Sequence, residues 1–519
     1  MNIKLAKEEI INTIRAYLAR DELGNFLIPV IRQRPILLMG PPGIGKTQIM
    51  EQIAAETHVG LVAYTITHHT RQSAIGLPVI ETRNYGGREV TVTEYTMSEI
   101  LSSVYRLMER TGLKEGILFL DEINCVSETL APMMLQFLQG KTFGNQPLPE
   151  GWIIVAAGNP PEYNKSVRDF DVVTLDRVKR IDVTEDFGVW KEYAYRRHIH
   201  GAVISYLDIK KDHFYRIETT ADGMQFATAR GWEDLSELIL AYEKLGIPVN
   251  RGVVGQYIQL PRIAQDFANY LELYYKYQKT YHVEEILTGA WAPVTVLELR
   301  GAAFDERLSV MGLLLSRLSE AVQKTRDQDA LADRLHASLG TLKESLAAGA
   351  SPSAALEELI KARRQTLDAA REAGQLSREE RNLGLKELGL LEKYRQELQR
   401  EGLSAPEEAM DLVRVRFGEE VTARKAAGEA AGTAFDNAFR FLEETFGDSQ
   451  ELVLFVTEVT AGYDTSWFVE TFGCDAYFRH NRELLFDDTR RKIRDEITSV
   501  RRAAPEQEPA MPDGKDETT

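Results

Sequence analysis

The residues best suited to chemistry lie in Gly40-Pro41-Pro42-Gly43-Ile44-Gly45-Lys46-Thr47, a full match to the pattern G-x-x-x-x-G-K-[ST]. Glycines at this spacing let the backbone curl until successive N–H groups face phosphate oxygens. A lysine at the end of such a loop reaches the β- and γ-phosphates of a nucleoside triphosphate, and the hydroxyl after it can hold Mg²⁺. Lys46 and Thr47 fill those two places. The loop needs a strand before it and a helix after it. Pro35-Ile36-Leu37-Leu38-Met39 reads as a short buried strand, and a helix is expected from about Lys46 to Glu56, its positive end toward the phosphates.

A second pair of groups has the placement such a site requires. Gly116-Ile117-Leu118-Phe119-Leu120 is apolar until it ends in Asp121 and Glu122, the pattern of a strand buried on both faces of a parallel sheet. Asp121 can hold Mg²⁺ through water, and Glu122 can polarise an attacking water as general base. Asn159 ends the next apolar run, Trp152–Ala157, where it would lie beside the γ-phosphate and orient that water; its bland alternative is a turn former before Pro160.

The ordered set resembles an AAA+ ATPase. GPPGIGKT, ILFLDE, the AAGNP stretch, Leu175-Asp176-Arg177 and Arg230 look like its Walker A, Walker B, sensor 1, arginine-finger and sensor 2 elements. A hairpin expected at about 77–93, around Asn84-Tyr85-Gly86-Gly87, and the segment 141–151 resemble the helix-2 insert and pre-sensor-1 hairpin. Those two features mark a clade that includes MoxR ATPases, magnesium-chelatase motor subunits, dynein and restriction GTPases, and the nearest resemblance is to MoxR. It covers about residues 30–290. It implies a hexameric or similar ring with ATP and Mg²⁺ held between subunits, Lys46, Glu122 and Asn159 as catalytic groups, and Thr47 and Asp121 at the metal. Arg177 would act on a neighbour's γ-phosphate, with Arg180 as the alternative finger. Arg230 would touch nucleotide from its own subunit, although Ala227-Thr228-Ala229-Arg230 departs from the usual Ser-Pro-Arg of MoxR proteins. It further implies a chaperone-like remodeller whose protein partner carries a von Willebrand factor A domain.

The elements that must position these groups alternate between strand and helix. Residues 3–20 carry Ile3, Leu5, Ile10, Ile11, Ile14 and Leu18 at helical spacing, and Leu61–Ile66 reads as a strand. A helix is expected from near Thr96, where Thr96-Met97-Ser98-Glu99 fits a capping box, to about Arg110, and another through Leu130 to Leu138. The fold class is therefore an α/β P-loop core with a parallel sheet over residues 1–183, followed by an all-α lid over 184–295 with clear segments at Val189–Tyr206, Gly231–Leu245 and Pro261–Thr280. Residues 296–501 read as a helical bundle or coiled-coil-like region. Leu308, Met311, Leu315, Leu318 and Val322 keep heptad-like spacing, Gly349–Ser353 marks a break, and Ser377–Glu380 and Ser404–Glu407 are capping-box candidates. Phe455-Val456 and Tyr463–Phe472 indicate a packed terminal unit, and residues 502–519 a disordered tail.

Composition narrows the rest. The chain has 519 residues and a net charge of −17, which argues against nonspecific binding to a polyanion without excluding a local basic pore. A nucleic-acid-stimulated motor or restriction-type NTPase of the same clade, a nucleotide-gated scaffold and a chelatase motor subunit remain the rival readings. Cys125 and Cys474 are the only cysteines, so no disulfide framework is expected, and Cys125 reads as a small buried side chain. No apolar run approaches the roughly 18 residues of a membrane span, and the N-terminal stretch reads as an amphipathic helix rather than a signal peptide, so the expected setting is cytoplasmic with no membrane partner. His68-His69 and His198-Ile199-His200 lack acidic or cysteine partners at ligand spacing. Tyr85 stands at the expected hairpin tip, where it could meet a substrate or simply face solvent.

Overall fold

The computed structural model describes residues 1–68, 76–143, 146–163, 170–220, 223–374 and 376–482; His69, Gly144-Asn145 and the tail 502–519 lie outside them. Five parallel strands form the first sheet: β1 (Ile36–Met39), β2 (Gly60–Thr65), β5 (Gly116–Asp121), β8 (Trp152–Gly158) and β9 (Lys179–Asp182), in the order β2-β5-β8-β1-β9. All residues of β1 and β8, and all of β5 up to Asp121, are buried. Helices therefore cover both faces, as continuous apolar runs in parallel sheets require. One face carries α1 (Ile3–Leu18) and α2 (Gln48–Thr57). The other carries α3 (Glu99–Thr111) and α4 (Ala131–Gly140). Met39 pairs with Gly158 and Phe119 with Val155, so β1, β5 and β8 finish side by side.

An antiparallel hairpin, β3 (Pro78–Tyr85) and β4 (Arg88–Tyr95), stands out from this core and is exposed along β3. Gly86 and Gly87 both have positive φ, the condition for a two-residue turn that follows the strands' twist. The helix after it is capped by Ser98, not by a box opening at Thr96. Thr96 closes the hairpin instead: its N–H donates to the Leu77 carbonyl and its hydroxyl accepts from the Leu77 N–H, both at 2.9 Å. Between 141 and 151 a second, much shorter hairpin pairs β6 (Thr142–Phe143) with β7 (Gln146–Pro147).

After the short helix α5 (Val172–Leu175) and β9, the lid departs from the helical reading in two places. The segment expected as Val189–Tyr206 is two helices, α6 (Phe187–Arg196) and α7 (Gly201–Ile209), broken where His198 takes φ +53° and His200 caps α7. A β-hairpin, β10 (Arg216–Thr220) with β11 (Gly223–Ala227), precedes α8 (Ala229–Leu245). The lid continues as α9 (Arg251–Tyr257), α10 (Pro261–Thr280), α11 (Val283–Thr288) and α12 (Pro293–Gly301).

The C-terminal region is α13 (Phe304–Ala347, 44 residues), α14 (Pro352–Glu372), α15 (Arg378–Glu401), α16 (Pro406–Phe446), α17 (Gln450–Ala461) and α18 (Tyr463–Phe472). One apolar core runs from Trp190 and Trp232 of the lid through Leu318 and Val322 to Phe435, Phe455 and Phe468, so lid and terminal helices share an interior. A second core joins the far half of α13 to α14, α15 and α16 through Leu335, Leu356, Leu391, Tyr394 and Val413. Ser377 and Glu380 form the expected capping box. Ser404 does not cap: α16 starts at Pro406 behind Ala405, and a proline in the first turn removes one of the N–H groups a cap would satisfy. The turn after α14 returns to the α/β core. Arg110 Nε lies 3.0 Å from Glu372 Oε2, and the Leu61 N–H on edge strand β2 donates to the Ala373 carbonyl at 3.4 Å.

Candidate active site

The strand ends deliver the candidate groups to one place. Gly40 leaves β1 where an added Cβ would lie 2.6 Å from the Val183 carbonyl oxygen, so only glycine fits. Gly43 (φ +75°) and Gly45 (φ +91°) turn the loop, and Pro41, Pro42 and Ile44 complete it before α2. Lys46 is 7% exposed. Its ammonium donates to the carbonyls of Gly40 (2.8 Å) and Pro41 (2.7 Å) and to Asn159 Oδ1 (2.9 Å). Burial lowers the Lys46 pKa from 10.5 to about 8; Asp121 opposes the shift and Arg230 adds to it. Thr47 donates to Asp121 Oδ2 at 2.8 Å.

Glu122 follows β5 with φ +57°, a left-handed conformation that costs a non-glycine residue roughly 1–2 kcal/mol. Its N–H donates back to Asp121 Oδ1 (2.9 Å), and its carboxylate accepts from the Thr67 hydroxyl (2.7 Å). Strain of this kind gathers where geometry serves a site. Asn124, 3% exposed, donates to the Asn159 carbonyl at 2.7 Å and accepts from its N–H at 3.3 Å. Gly158 makes room for it, since a Cβ there would meet Asn124 Oδ1 at 2.6 Å. Asn124 thus fixes the backbone that aims Asn159, a role sequence reasoning missed; the available signal was an amide two residues past Glu122. Cys125 is half-buried rather than buried.

The lid reaches the same loop. A Cβ on Gly43 would sit 3.4 Å from the Cβ atoms of Thr228 and Arg230, and the Tyr215 hydroxyl donates to the Pro42 carbonyl at 2.8 Å. Thr228 caps α8 by accepting from the Gly231 N–H, which places Arg230 in the first turn. Arg177 and Arg180 are not joined to the loop by hydrogen bonds among the described residues. Arg177 is exposed and donates to Gln139 at the end of α4; Arg180, on edge strand β9, pairs with Asp182 at 2.8 Å.

Thr47 and Asp121 suit a hard cation: both offer oxygen, and they already touch. No cluster of three or more His, Cys, Asp or Glu side chains occurs among the described residues. A Mg²⁺ that keeps waters and takes its other ligands from substrate phosphates needs no such cluster. His198 and His200 do have carboxylates near them, from distant parts of the chain. His198 lies 3.7 Å from Asp464, with burial holding its pKa down to about 4, and His200 lies 3.0 Å from Glu243. No helix of the described residues is long and apolar enough to cross a membrane.

Residues 35–178 match the family described as AAA domain, dynein-related subfamily. The parallel sheet, the phosphate loop and the helices after them thus form an AAA-type P-loop core with a helical C-terminal region. No curated protein matches the chain. Among solved structures, a candidate ATPase from Cytophaga hutchinsonii aligns at 18% identity over 35% of this chain and 51% of its own, with a TM-score of 0.21. A mutant RuvB of Thermotoga maritima aligns at 15% identity over 49% and 70%, TM-score 0.28. The FIGL-1 AAA domain in complex with ADP aligns at 15% over 45% and 68%, TM-score 0.26. The chain spans about half the length of the first of these.

Proposed function

We propose, from the premise of an AAA domain over residues 35–178, that the chain hydrolyses ATP at the phosphate loop. The observation that carries this reading is the pair of bonds across the sheet, Lys46 to Asn159 and Thr47 to Asp121, which ties three strand ends into one polar site. Lys46 exchanges its carbonyl partners for phosphate oxygens when a triphosphate enters. Glu122 accepts the proton of a water attacking the γ-phosphorus in line, and Asn159 orients that water. The bond from the γ-phosphorus to the bridging oxygen breaks, and its electron pair leaves on ADP. Mg²⁺ held by Thr47 and Asp121 would offset phosphate charge. Arg230 senses the γ-phosphate from the lid of the same subunit.

The second half of the site comes from a neighbour in a ring, hexameric or similar, through Arg177. Its hydrogen-bond partner Gln139 is neutral and Asp171 acts on it only electrostatically, whereas Arg180 is held in an ion pair with Asp182, so Arg177 is the freer guanidinium to turn to a neighbour's phosphate. An arginine so supplied contributes roughly 10³–10⁵ in rate in related NTPases. The work done is remodelling of a protein partner, in the manner of MoxR chaperones acting on a von Willebrand factor A domain, in the cytoplasm. The exposed hairpin 78–95, with Ile80 and Tyr85 uncovered, and the net charge of −17 favour a protein over a polyanion as client. A nucleotide-gated scaffold is the second reading, favoured by the interior that the lid shares with the terminal helices.

Phosphate release from ATP tests both layers. Lys46→Ala should abolish it, and a partner protein should raise it in the unaltered chain. Many-fold stimulation by DNA or RNA with none by protein overturns the remodelling reading. Mixing Arg177→Ala with Lys46→Ala chains should restore part of the activity that each lacks alone; no recovery removes Arg177 as a finger acting between subunits.

A further inference from the structure

A second cleft lies in the lid. Its walls come from residues 210–218 and from the starts of α9 and α10; it is open to solvent, with a volume of about 660 Å³, and Arg251 and Arg262 are exposed at its rim. None of residues 40–47, 121, 122, 159 or 230 lines it. Lys210, His213, Arg216, Arg251 and Arg262 line it together with Glu218 and Asp266. Two of the cations are neutralised locally, Lys210 by contact with Asp266 and Arg216 by Glu218 at 2.6 Å. Arg251 and Arg262 make no ion pair among the described residues, in a chain where acids outnumber bases 79 to 62.

The start of α10 adds to this charge. Leu260, its N-cap residue, has no side chain able to accept a hydrogen bond, and Pro261 opens the first turn. The N–H groups of Arg262 and Ile263 are therefore left without a side-chain cap at the positive end of a 20-residue helix. Guanidinium forks match phosphoryl oxygens in pairs, and uncapped first-turn N–H groups bind the same oxygens. The volume suits a ligand of nucleotide size or less.

We propose that this cleft is a binding site for a phosphoryl-bearing ligand no larger than a nucleotide, the phosphate lying between Arg251, Arg262 and the first turn of α10. It is separate from the ATP site and does not depend on the activity proposed there.

Calorimetric titration of inorganic pyrophosphate into the full-length chain at low salt tests it. The phosphate loop also takes pyrophosphate, so the measurement is made in the Lys46→Ala chain, where that contribution is removed. One site should persist there, and adding Arg251→Gln and Arg262→Gln should weaken it by about tenfold or more. An unchanged far-ultraviolet circular dichroism spectrum and denaturation midpoint in the two arginine variants show that the lid still folds. Adenosine monophosphate binding more tightly than inorganic phosphate assigns the site to nucleotides, and equal binding assigns it to free phosphate. Absence of pyrophosphate binding in Lys46→Ala, or binding that the arginine changes leave within about twofold, overturns the proposal.

Discussion

The α/β half and the helical half keep their important polar groups in different ways. In the first, Lys46, Thr47, Asp121, Glu122 and Asn159 stand at the ends of neighbouring strands, and the register of the sheet brings them together. In the second, charges meet across long stretches of chain. Lys191 lies 2.7 Å from both Asp208 and Glu458, Arg326 lies 2.6 Å from buried Asp464, and Ser338 donates to Glu387 at 2.6 Å. A site set by strand register tolerates exchange of the side chain it presents. An interior set by distant ion pairs does not, because removing one partner leaves the other charged in a poor solvent.

Four measurements would break or sharpen that contrast. Glu122→Gln should lower ATP hydrolysis by about 10²–10⁴-fold while ATP binding and the denaturation midpoint stay put; a chain that hydrolyses ATP at the original rate removes the general base. Lys191→Ala should do the reverse. It should cost about 3 kcal/mol in chemical denaturation, since among the described residues Glu458 is left with only Tyr195 as a donor, yet leave ATP affinity intact. Loss of nucleotide binding in that variant would show that the two halves are not separable.

The third concerns pH. Because burial brings the Lys46 pKa to about 8, the ammonium loses its proton as pH rises through that value. ATP affinity, followed by equilibrium binding, should fall by up to about tenfold per unit above pH 8. The stability of the ligand-free chain moves the other way. The unfolded lysine stays protonated to its ordinary 10.5, so between about 8 and 10.5 the unfolded state binds more protons and folding gains. Flat affinity over that range would mean that Lys46 stays charged in the empty site. The smallest effects compare two serines of the helical half: Ser377→Ala should destabilise by about 1 kcal/mol, and Ser404→Ala by close to nothing.

The same contrast decides what could be read from the chain alone. The meeting of the loop, the acidic strand end and Asn159 was legible because they sit in runs of a few residues that fold against one another in order. Strand β9 was not foreseen: Lys179-Arg180-Ile181-Asp182 buries only Ile181, since an edge strand keeps one face wet and shows no apolar run. The β10–β11 hairpin is short and largely polar, and it disappears between helices. The break at 197–200 depends on His198 adopting a left-handed backbone, for which a histidine gives little warning. Asn124 was missed because its role is to hold another residue's backbone, which no spacing rule describes. The shared interior of lid and terminal helices was out of reach for a different reason. Trp190 and Phe455 join one core only through tertiary packing, and helical periodicity tells which face is buried but not against what.

Helix α13 has one mechanical property. At 1.5 Å per residue its 44 residues make a rod about 66 Å long. Its first turns are embedded in the lid core, and its far end carries the α14–α15 pair. If the lid turns by about 10° during a nucleotide cycle, a rod of that length swings its far end by about 11 Å. Glu372 is held to Arg110 of the α/β core at 3.0 Å. In such a turn either that contact would open or the core would be carried along, and the helix would act as a lever that converts a small rotation at one end into a stroke at the other.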